Sequence, residues 1–193
     1  MAKMDAKRAN PLRDFIAGGA AGRVLEVGCG TGLNFAHYDW SKLESLEATE
    51  PDAFMLRRAE AKAATLTPEA RALVHLQEAP AEALPFEDAR FDAVVATLVF
   101  CTVSDLDRAI AEARRVLKPG GTLRLIEHVE GRGFTRRVQQ AVQPVYGWMA
   151  AGCQLNRRTE AAVRAAGFEL DVTQRTDFGP LWPAFVGIAT KPA

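Results

Sequence analysis

The sequence has no excess charge of either sign, because its 193 residues include 24 lysines plus arginines and 24 aspartates plus glutamates. A chain without a basic field binds phosphate backbones poorly, so we expect no nucleic-acid partner. Cysteine is also scarce, and the three cysteines, Cys29, Cys101 and Cys153, stand far apart along the chain. This spacing does not match a disulfide framework or a zinc motif, and it predicts reduced thiols and no metal.

Long apolar runs are missing as well. No segment approaches the roughly 20 apolar residues that a membrane span needs, and the polar residues 1–10 are not followed by the apolar run of a secretory signal. We therefore expect a cytoplasmic location. The composition, 48% hydrophobic and 25% charged, is that of an ordinary globular protein. A chain of this length can bury a core as a single domain, and we expect one domain over residues 1–193.

An alternation of strands and helices fills most of the chain. Apolar segments typical of strands cover residues 23–27, 43–49, 72–77, 91–97 and 122–129, with helical patterns at 52–64 and 105–117, the latter capped by Ser104. This alternation predicts a Rossmann-like, doubly wound α/β sheet that is mostly parallel. Two further strand-like segments, 168–175 and 184–191, are close enough to form a C-terminal antiparallel hairpin.

A glycine loop follows the first strand, and a helix is predicted from the loop to about Tyr38. Glycine accepts positive φ and a close ligand, and such a loop lies at the carboxyl edge of the sheet, where ligands bind. Gly28, Gly30 and Gly32 form a tighter pattern than the dinucleotide fingerprint G-x-G-x-x-G, which favours a ligand without a diphosphate, such as S-adenosylmethionine, over NAD. Glu50 ends the second strand at about the spacing from which an acid binds ribose hydroxyls.

Five motifs together resemble the class I S-adenosylmethionine-dependent methyltransferases, in the branch with methyltransferase type 11 domains. They are residues 25–32, 50–51, 81–86, 91–95 and 117–121. A narrower resemblance, to the alkyl thiol S-methyltransferases of the methyltransferase-like family, lies in residues 31–35, Tyr38, 97–103, 127–129 and 152–155. Phosphatidylethanolamine N-methyltransferases share much of this core and quinone C-methyltransferases share somewhat less, so these acceptor classes stay open.

The resemblance implies a set of residues that bind S-adenosylmethionine and its product S-adenosylhomocysteine. The glycine loop would approach the methionine part, Glu50 would bind the ribose, and Thr97 and Leu98 would lie near the reactive methyl. Many relatives have an aspartate immediately before Ala81, where this chain has Pro80, so backbone groups are expected to serve there. The full set is Glu26, Gly28, Cys29, Gly30, Gly32, Asn34, Glu50, Pro51, Met55, Ala81, Thr97 and Leu98.

His128 ends the fifth strand, on the edge where an acceptor should bind. Its charge changes near neutral pH, so it is predicted to act as a base or to orient a thiolate, and a purely structural role is an equal alternative. Residues 134–156 are predicted to form a lid over the acceptor. The same apolar stripe can serve as core, and Arg132, Arg136 and Arg137 leave a peripheral membrane contact open.

These features predict an enzyme that transfers a methyl group from S-adenosylmethionine to a small molecule, with a thiol as the favoured acceptor. A thiol needs little help from a base because its pKa is near 8.5 and its thiolate is strongly nucleophilic. The alternatives are a phospholipid or a quinone as acceptor, and a protein that binds the cofactor without catalysis.

Overall fold

The computed structural model describes residues 6–149, 153–179 and 181–193. The strands are β1 (Gly22–Val27), β2 (Leu43–Thr49), β3 (Val74–Gln77), β4 (Phe91–Thr97), β5 (Leu117–His128), β6 (Glu169–Asp177) and β7 (Pro183–Thr190). The α-helices are α1 (Ala6–Ile16), α2 (Ala53–Ala63), α3 (Pro68–Ala72), α4 (Leu106–Val116), α5 (Gly133–Met149) and α6 (Thr159–Ala165). Two 3₁₀ turns cover Leu33–Ala36 and Trp40–Lys42.

The seven strands form one sheet in the order β3-β2-β1-β4-β5-β7-β6. The first five are parallel, while β7 runs antiparallel to both β5 and β6. Central strands such as β1 and β4 are buried over most of their length because helices cover both faces of the sheet. The predicted fold, a mostly parallel Rossmann-like sheet with a C-terminal antiparallel hairpin, is confirmed.

Two buried clusters hold the helices on opposite faces of the sheet. One face packs against α4 and α6, with Ile110 and Val163 fully buried. The other packs against α1 and α2 through residues such as Ile16 and Ala59. Each large apolar side chain buried in this way contributes about 1.5–3 kcal/mol, so the two clusters together fix the position of the strand ends. Within the described residues, no helix combines the length and apolarity that a membrane span requires.

Three local predictions were wrong for identifiable reasons. The segment after the glycine loop forms a single 3₁₀ turn and not a helix, because Gly32 takes φ +74° and provides no side-chain cap. The cap of α4 is Asp105, whose carboxylate accepts from the backbone N–H of Arg108, and not Ser104. The fifth strand was expected to begin at residue 122. Strand β5 begins at Leu117, because this residue already pairs with Phe91 before the register of the two strands shifts.

Candidate active site

The predicted cofactor residues of the first two strands meet at the carboxyl edge of the sheet. Gly28, Gly30 and Gly32 all have positive φ, between +59° and +74°. A Cβ on Gly28 would lie 2.8 Å from Val99, and one on Gly32 would lie 2.6 Å from Phe35. Other residues are strained in this conformation at all three positions and would also clash at Gly28 and Gly32, so the loop favours glycine there.

Glu50 is buried directly beside the glycine loop. Its Oε2 accepts a hydrogen bond from the backbone N–H of Gly30 at 2.9 Å, and its Oε1 accepts from that of Asp52 at 3.1 Å. Each carboxylate oxygen has a second lone pair, so the group can also accept from two neighbouring hydroxyls. The structure therefore brings together the loop and the acid that the sequence spacing predicted to act together.

Glu26 and Asn34 lie beneath the loop in a buried polar network. Oε1 of Glu26 accepts from Asn34 Nδ2 at 2.9 Å, and Oε2 accepts from the hydroxyl of Tyr38, also at 2.9 Å. Asn34 also donates to Thr97 Oγ1 at 3.1 Å and accepts from Arg13 of α1. Burial raises the pKa of Glu26 to about 7, although the hydrogen bonds from Tyr38 and Asn34 and the charge of Arg13 act in the opposite direction. The network ties β1, β4 and α1 to the base of the loop.

The residues expected around the adenine differ in exposure. Pro51 is exposed, Met55 is half-buried with its Cε 3.4 Å from where a Cβ of Gly30 would be, and Ala81 is buried. Asp52 caps α2 by accepting from Phe54 and Met55 N–H groups, which fixes the start of this helix beside the loop. The Glu82 side chain does not serve the adenine side, since it accepts a hydrogen bond from the backbone N–H of Ser104 at 2.8 Å.

The loop that follows β4 is held by Glu127, a residue whose role the sequence did not reveal. Its Oε1 accepts from the N–H groups of Val99 and Phe100 at 2.8 and 3.0 Å, and its Oε2 accepts from that of Cys101 at 3.2 Å. Burial raises the pKa of Glu127 to about 8, against the effect of these three donors. Leu98, which precedes them, has φ +59°, a strained conformation for a side chain-bearing residue. The available signal was an acidic residue near the carboxyl end of a predicted interior strand.

His128 lies between two cysteines that are remote in sequence. One ligand atom each from Cys101, His128 and Cys153 all lie within 4.8 Å of one another. The Cys101 thiol donates to the Leu98 carbonyl at 3.5 Å. The neighbouring side chains of Cys101 and His128 lower the pKa of the Cys153 thiol, whereas Cys153 and burial raise the pKa of Cys101. The ring of His128 packs edge-on against Phe178. Spacing along the chain had argued against any such cluster, and the fold creates it.

With this geometry in place, the comparisons identify the family. The model of a methyltransferase domain matches residues 25–125. The thiol S-methyltransferase TMT1B of Homo sapiens is 34% identical over 188 residues, which cover 90% of this chain and 73% of that protein. The chain belongs to the S-adenosylmethionine-dependent methyltransferases.

Two further similarities place this methyltransferase among its relatives. The phosphatidylethanolamine N-methyltransferase of Cereibacter sphaeroides is 32% identical over 131 residues, 66% of this chain and 63% of that protein. Among solved structures, the YcgJ protein of Bacillus subtilis has a TM-score of 0.79, with 17% identity over 97% of this chain and 99% of that one. At this identity the structural match shows the shared fold.

The site of this methyltransferase fits S-adenosylmethionine. Its glycine loop has no room for a Cβ at Gly28 or Gly32, and the Glu50 carboxylate retains acceptor capacity for a pair of ribose hydroxyls. When bound, the cofactor supplies a methyl group activated on a sulfonium.

Helix α5 follows β5 directly and packs against the β6–β7 connection. Gln139 is fully buried, and its side chain accepts from Gly131 N–H at 2.7 Å and donates to the Leu181 carbonyl at 3.0 Å. Trp182 donates to the Tyr146 hydroxyl at 2.8 Å. Residues 150–152 of the predicted lid lie outside the described residues. The described part of α5 is thus anchored by polar contacts at the end of β5, next to the cysteine and histidine cluster.

Proposed function

We propose that this methyltransferase transfers the methyl group to a small thiol. The observation that carries the proposal is the acceptor end, where Cys101, His128 and Cys153 meet beyond the strained Leu98. In the described part of this end, the carboxylates of Glu26 and Glu127 are fully buried and already hydrogen-bonded. These two carboxylates are therefore engaged, and a thiol, which needs a general base less than a hydroxyl or carbon acceptor does, fits an end where His128 orients the thiolate. The similarity to a thiol S-methyltransferase supports the same acceptor.

We assign cofactor binding to the sequence-predicted set, in which one group of residues contacts the cofactor and a second group supports the glycine loop. Gly28, Gly30 and Gly32 receive the methionine part through their backbone, and Glu50 binds the ribose. Pro51, Met55 and Ala81 line the adenine side, and Thr97 and Leu98 face the methyl. Glu26, Cys29 and Asn34 lie in or below the loop, where the buried network positions it.

Replacing Glu50 with alanine is expected to weaken S-adenosylhomocysteine binding about 10–100-fold. The ribose hydroxyls lose a charged acceptor, and a hydrogen bond to a charged group contributes about 1.5–3 kcal/mol. Titration calorimetry measures the affinity directly. Glu44→Ala is the matched control, because Glu44 lies at the other end of β2 with a largely exposed side chain. Equal affinities in the two variants would remove Glu50 from the ribose site.

The chain's own groups then have two tasks in the reaction. They align the acceptor sulfur with the methyl carbon and exclude water, and good alignment alone can lower the barrier by several kcal/mol. We assign the acceptor contact to His128, which orients the thiolate, and we assign closure of the acceptor side to the lid, residues 134–156. The three cysteines are free thiols, which is consistent with the reducing cytoplasm as its location.

The direct test of acceptor class is S-adenosylhomocysteine production with matched alkyl thiols, alcohols and amines, in the absence of lipid. Turnover is expected with the thiols. Turnover with phosphatidylethanolamine vesicles and not with thiols would favour the second candidate, a lipid acceptor. That candidate has its own observation: Phe134 at the start of α5 is 80% exposed beside Arg132 and Arg137. Binding of S-adenosylhomocysteine without turnover on any acceptor would indicate a non-catalytic binder.

His128→Ala is expected to lower thiol turnover at least about tenfold while leaving S-adenosylhomocysteine affinity unchanged. The imidazole lies at the end of β5 and makes no hydrogen bond to Glu50 or the glycine loop among the described residues. Single-turnover kinetics and calorimetry separate the two effects. Full activity in the variant would make His128 a structural residue, as the alternative interpretation of the sequence holds.

A further inference from the structure

The cluster of Cys101, His128 and Cys153 has the composition of a metal site. We propose that these three side chains bind a Zn²⁺ ion whose fourth coordination position receives the sulfur of the acceptor thiol. Their ligand atoms lie within 4.8 Å of one another. Tetrahedral zinc, with Zn–S about 2.3 Å and Zn–N about 2.0 Å, holds such atoms roughly 3.5–3.8 Å apart, so a small inward movement of the side chains is enough.

The imidazole of His128 provides an independent indication of a ligand. Both of its ring nitrogens are buried, and neither has a hydrogen-bond partner in the part of the chain that the structure describes. Buried polar groups are nearly always paired, because an unpaired one costs about 1–3 kcal/mol. A metal ion bound to one ring nitrogen would satisfy that atom.

The backbone around both cysteines is fixed before any ligand binds. Cys101 donates its N–H to Glu127 and accepts from Gln154 N–H at 2.7 Å. The Cys153 carbonyl accepts from Gln143 Nε2 at 3.1 Å, and the same amide side chain accepts from Leu155 N–H at 2.7 Å. These contacts join the loop after β4 to the segment after α5. Such preorganisation is what a metal site requires of its supporting groups.

The donor set selects the metal and leaves one position open. Two sulfurs and one imidazole nitrogen suit a thiophilic tetrahedral ion such as Zn²⁺, and three protein ligands are typical of zinc sites that bind a substrate. Two thiolates neutralise the charge of the ion, so the loaded site is neutral, as a buried site should be. Binding of an acceptor thiolate gives the site a net negative charge, which the positive sulfonium of the cofactor attracts.

The acceptor part of this inference rests on the proposed function, and in the loaded site His128 orients the acceptor thiolate through the ion. The acceptor S–H proton leaves to solvent when its sulfur bonds to the ion. A lone pair of that sulfur then forms the bond to the methyl carbon, and the carbon–sulfonium bond breaks with its electron pair retained by S-adenosylhomocysteine. The neutral thioether is a weaker ligand than a thiolate, so it departs and the position opens again.

Metal binding is tested on the full, reduced chain without any reference to activity. Metal-free protein titrated with Zn²⁺ against a chromophoric chelator is expected to bind one equivalent, and Co²⁺ is expected to give thiolate charge-transfer and tetrahedral d–d absorption. Cys153→Ser should weaken Zn²⁺ binding by more than the about 10–100-fold that loss of an outer partner costs. His75→Gln, at an exposed position of β3, is the control and should keep the wild-type Zn²⁺ affinity.

Three results would overturn the site: no thiolate-to-cobalt absorption in the wild-type protein, unchanged affinity in Cys153→Ser, or a Cys101–Cys153 disulfide in the reduced preparation by thiol titration. The cobalt spectrum needs no variant, so a variant that fails to fold does not affect it. S-adenosylhomocysteine binding reports on the fold of each variant.

The acceptor role has separate outcomes. An alkyl thiol, but not the matching alcohol, should shift the spectrum of the Co²⁺-loaded protein, and removal of metal should abolish thiol turnover. Equal turnover by metal-free protein would overturn the metal's role in acceptor binding and leave the thiol methyltransferase proposal intact. One bound equivalent of Zn²⁺ without turnover of any thiol would overturn the proposed function, and the metal site would stand.

Discussion

Replacing Glu127 with alanine should lower the free energy of unfolding by about 3–5 kcal/mol, because the buried N–H groups of Val99, Phe100 and Cys101 lose their acceptor. Each unsatisfied buried donor costs about 1–3 kcal/mol, and partial relaxation of the loop keeps the total below the sum of three. Urea unfolding at neutral pH, monitored by circular dichroism, measures the loss. Glu127 thus supports the fold and places the loop on which the acceptor end depends.

Two variants sharpen this prediction. Glu127→Gln should lose less stability than the alanine variant, because the amide oxygen can still accept from Val99 and Phe100 while the amide nitrogen faces the Cys101 N–H. Glu87→Ala, at an exposed position, is the control and should unfold like the wild type. If Glu127→Ala unfolds with the control, the three N–H groups must find other partners, and the assigned role of Glu127 is wrong.

The sheet was predictable because parallel strands that are covered on both faces are apolar over most of their length. Residues 91–97 illustrate this, since Val94 and Val95 point to opposite faces and both are fully buried. The final hairpin was predictable from the short connection between its two strands. What the pattern did not contain is the position of β7 between β5 and β6, which depends on the pairing of His128 with Ala184 and of its neighbours along both strands.

The site was predictable where its residues are local to one motif. The glycine loop and Glu50 follow from a fixed spacing between two neighbouring strand ends. Glu127 was missed because its partners are backbone groups of another loop, and backbone groups leave no mark in a sequence. The cluster of Cys101, His128 and Cys153 was missed because each residue belongs to a different segment, and only the packing of these segments brings the three together.

The pH dependence of stability should reveal the buried carboxyl group of Glu26. Its pKa is about 7 in the folded chain against an ordinary value of 4.5. Below 4.5 the group is protonated in both states, and its stabilising contribution is fully present. As the pH rises from 4.5 towards 7, the unfolded chain releases this proton while the folded chain keeps it, so the free energy of unfolding falls. The contribution is lost above the folded pKa.

The variant Glu26→Gln isolates the contribution that protonation of Glu26 makes to the free energy of unfolding. The neutral amide keeps both contacts, because its oxygen accepts from Asn34 and its nitrogen can donate to the Tyr38 oxygen. The difference in unfolding free energy, wild type minus variant, should fall by about 3 kcal/mol across this pH range. Glu127 titrates in both proteins, so its effect cancels in the difference. Parallel stability curves would mean that Arg13 keeps Glu26 ionised, and the network below the glycine loop would then be a buried ion pair bridged by Asn34.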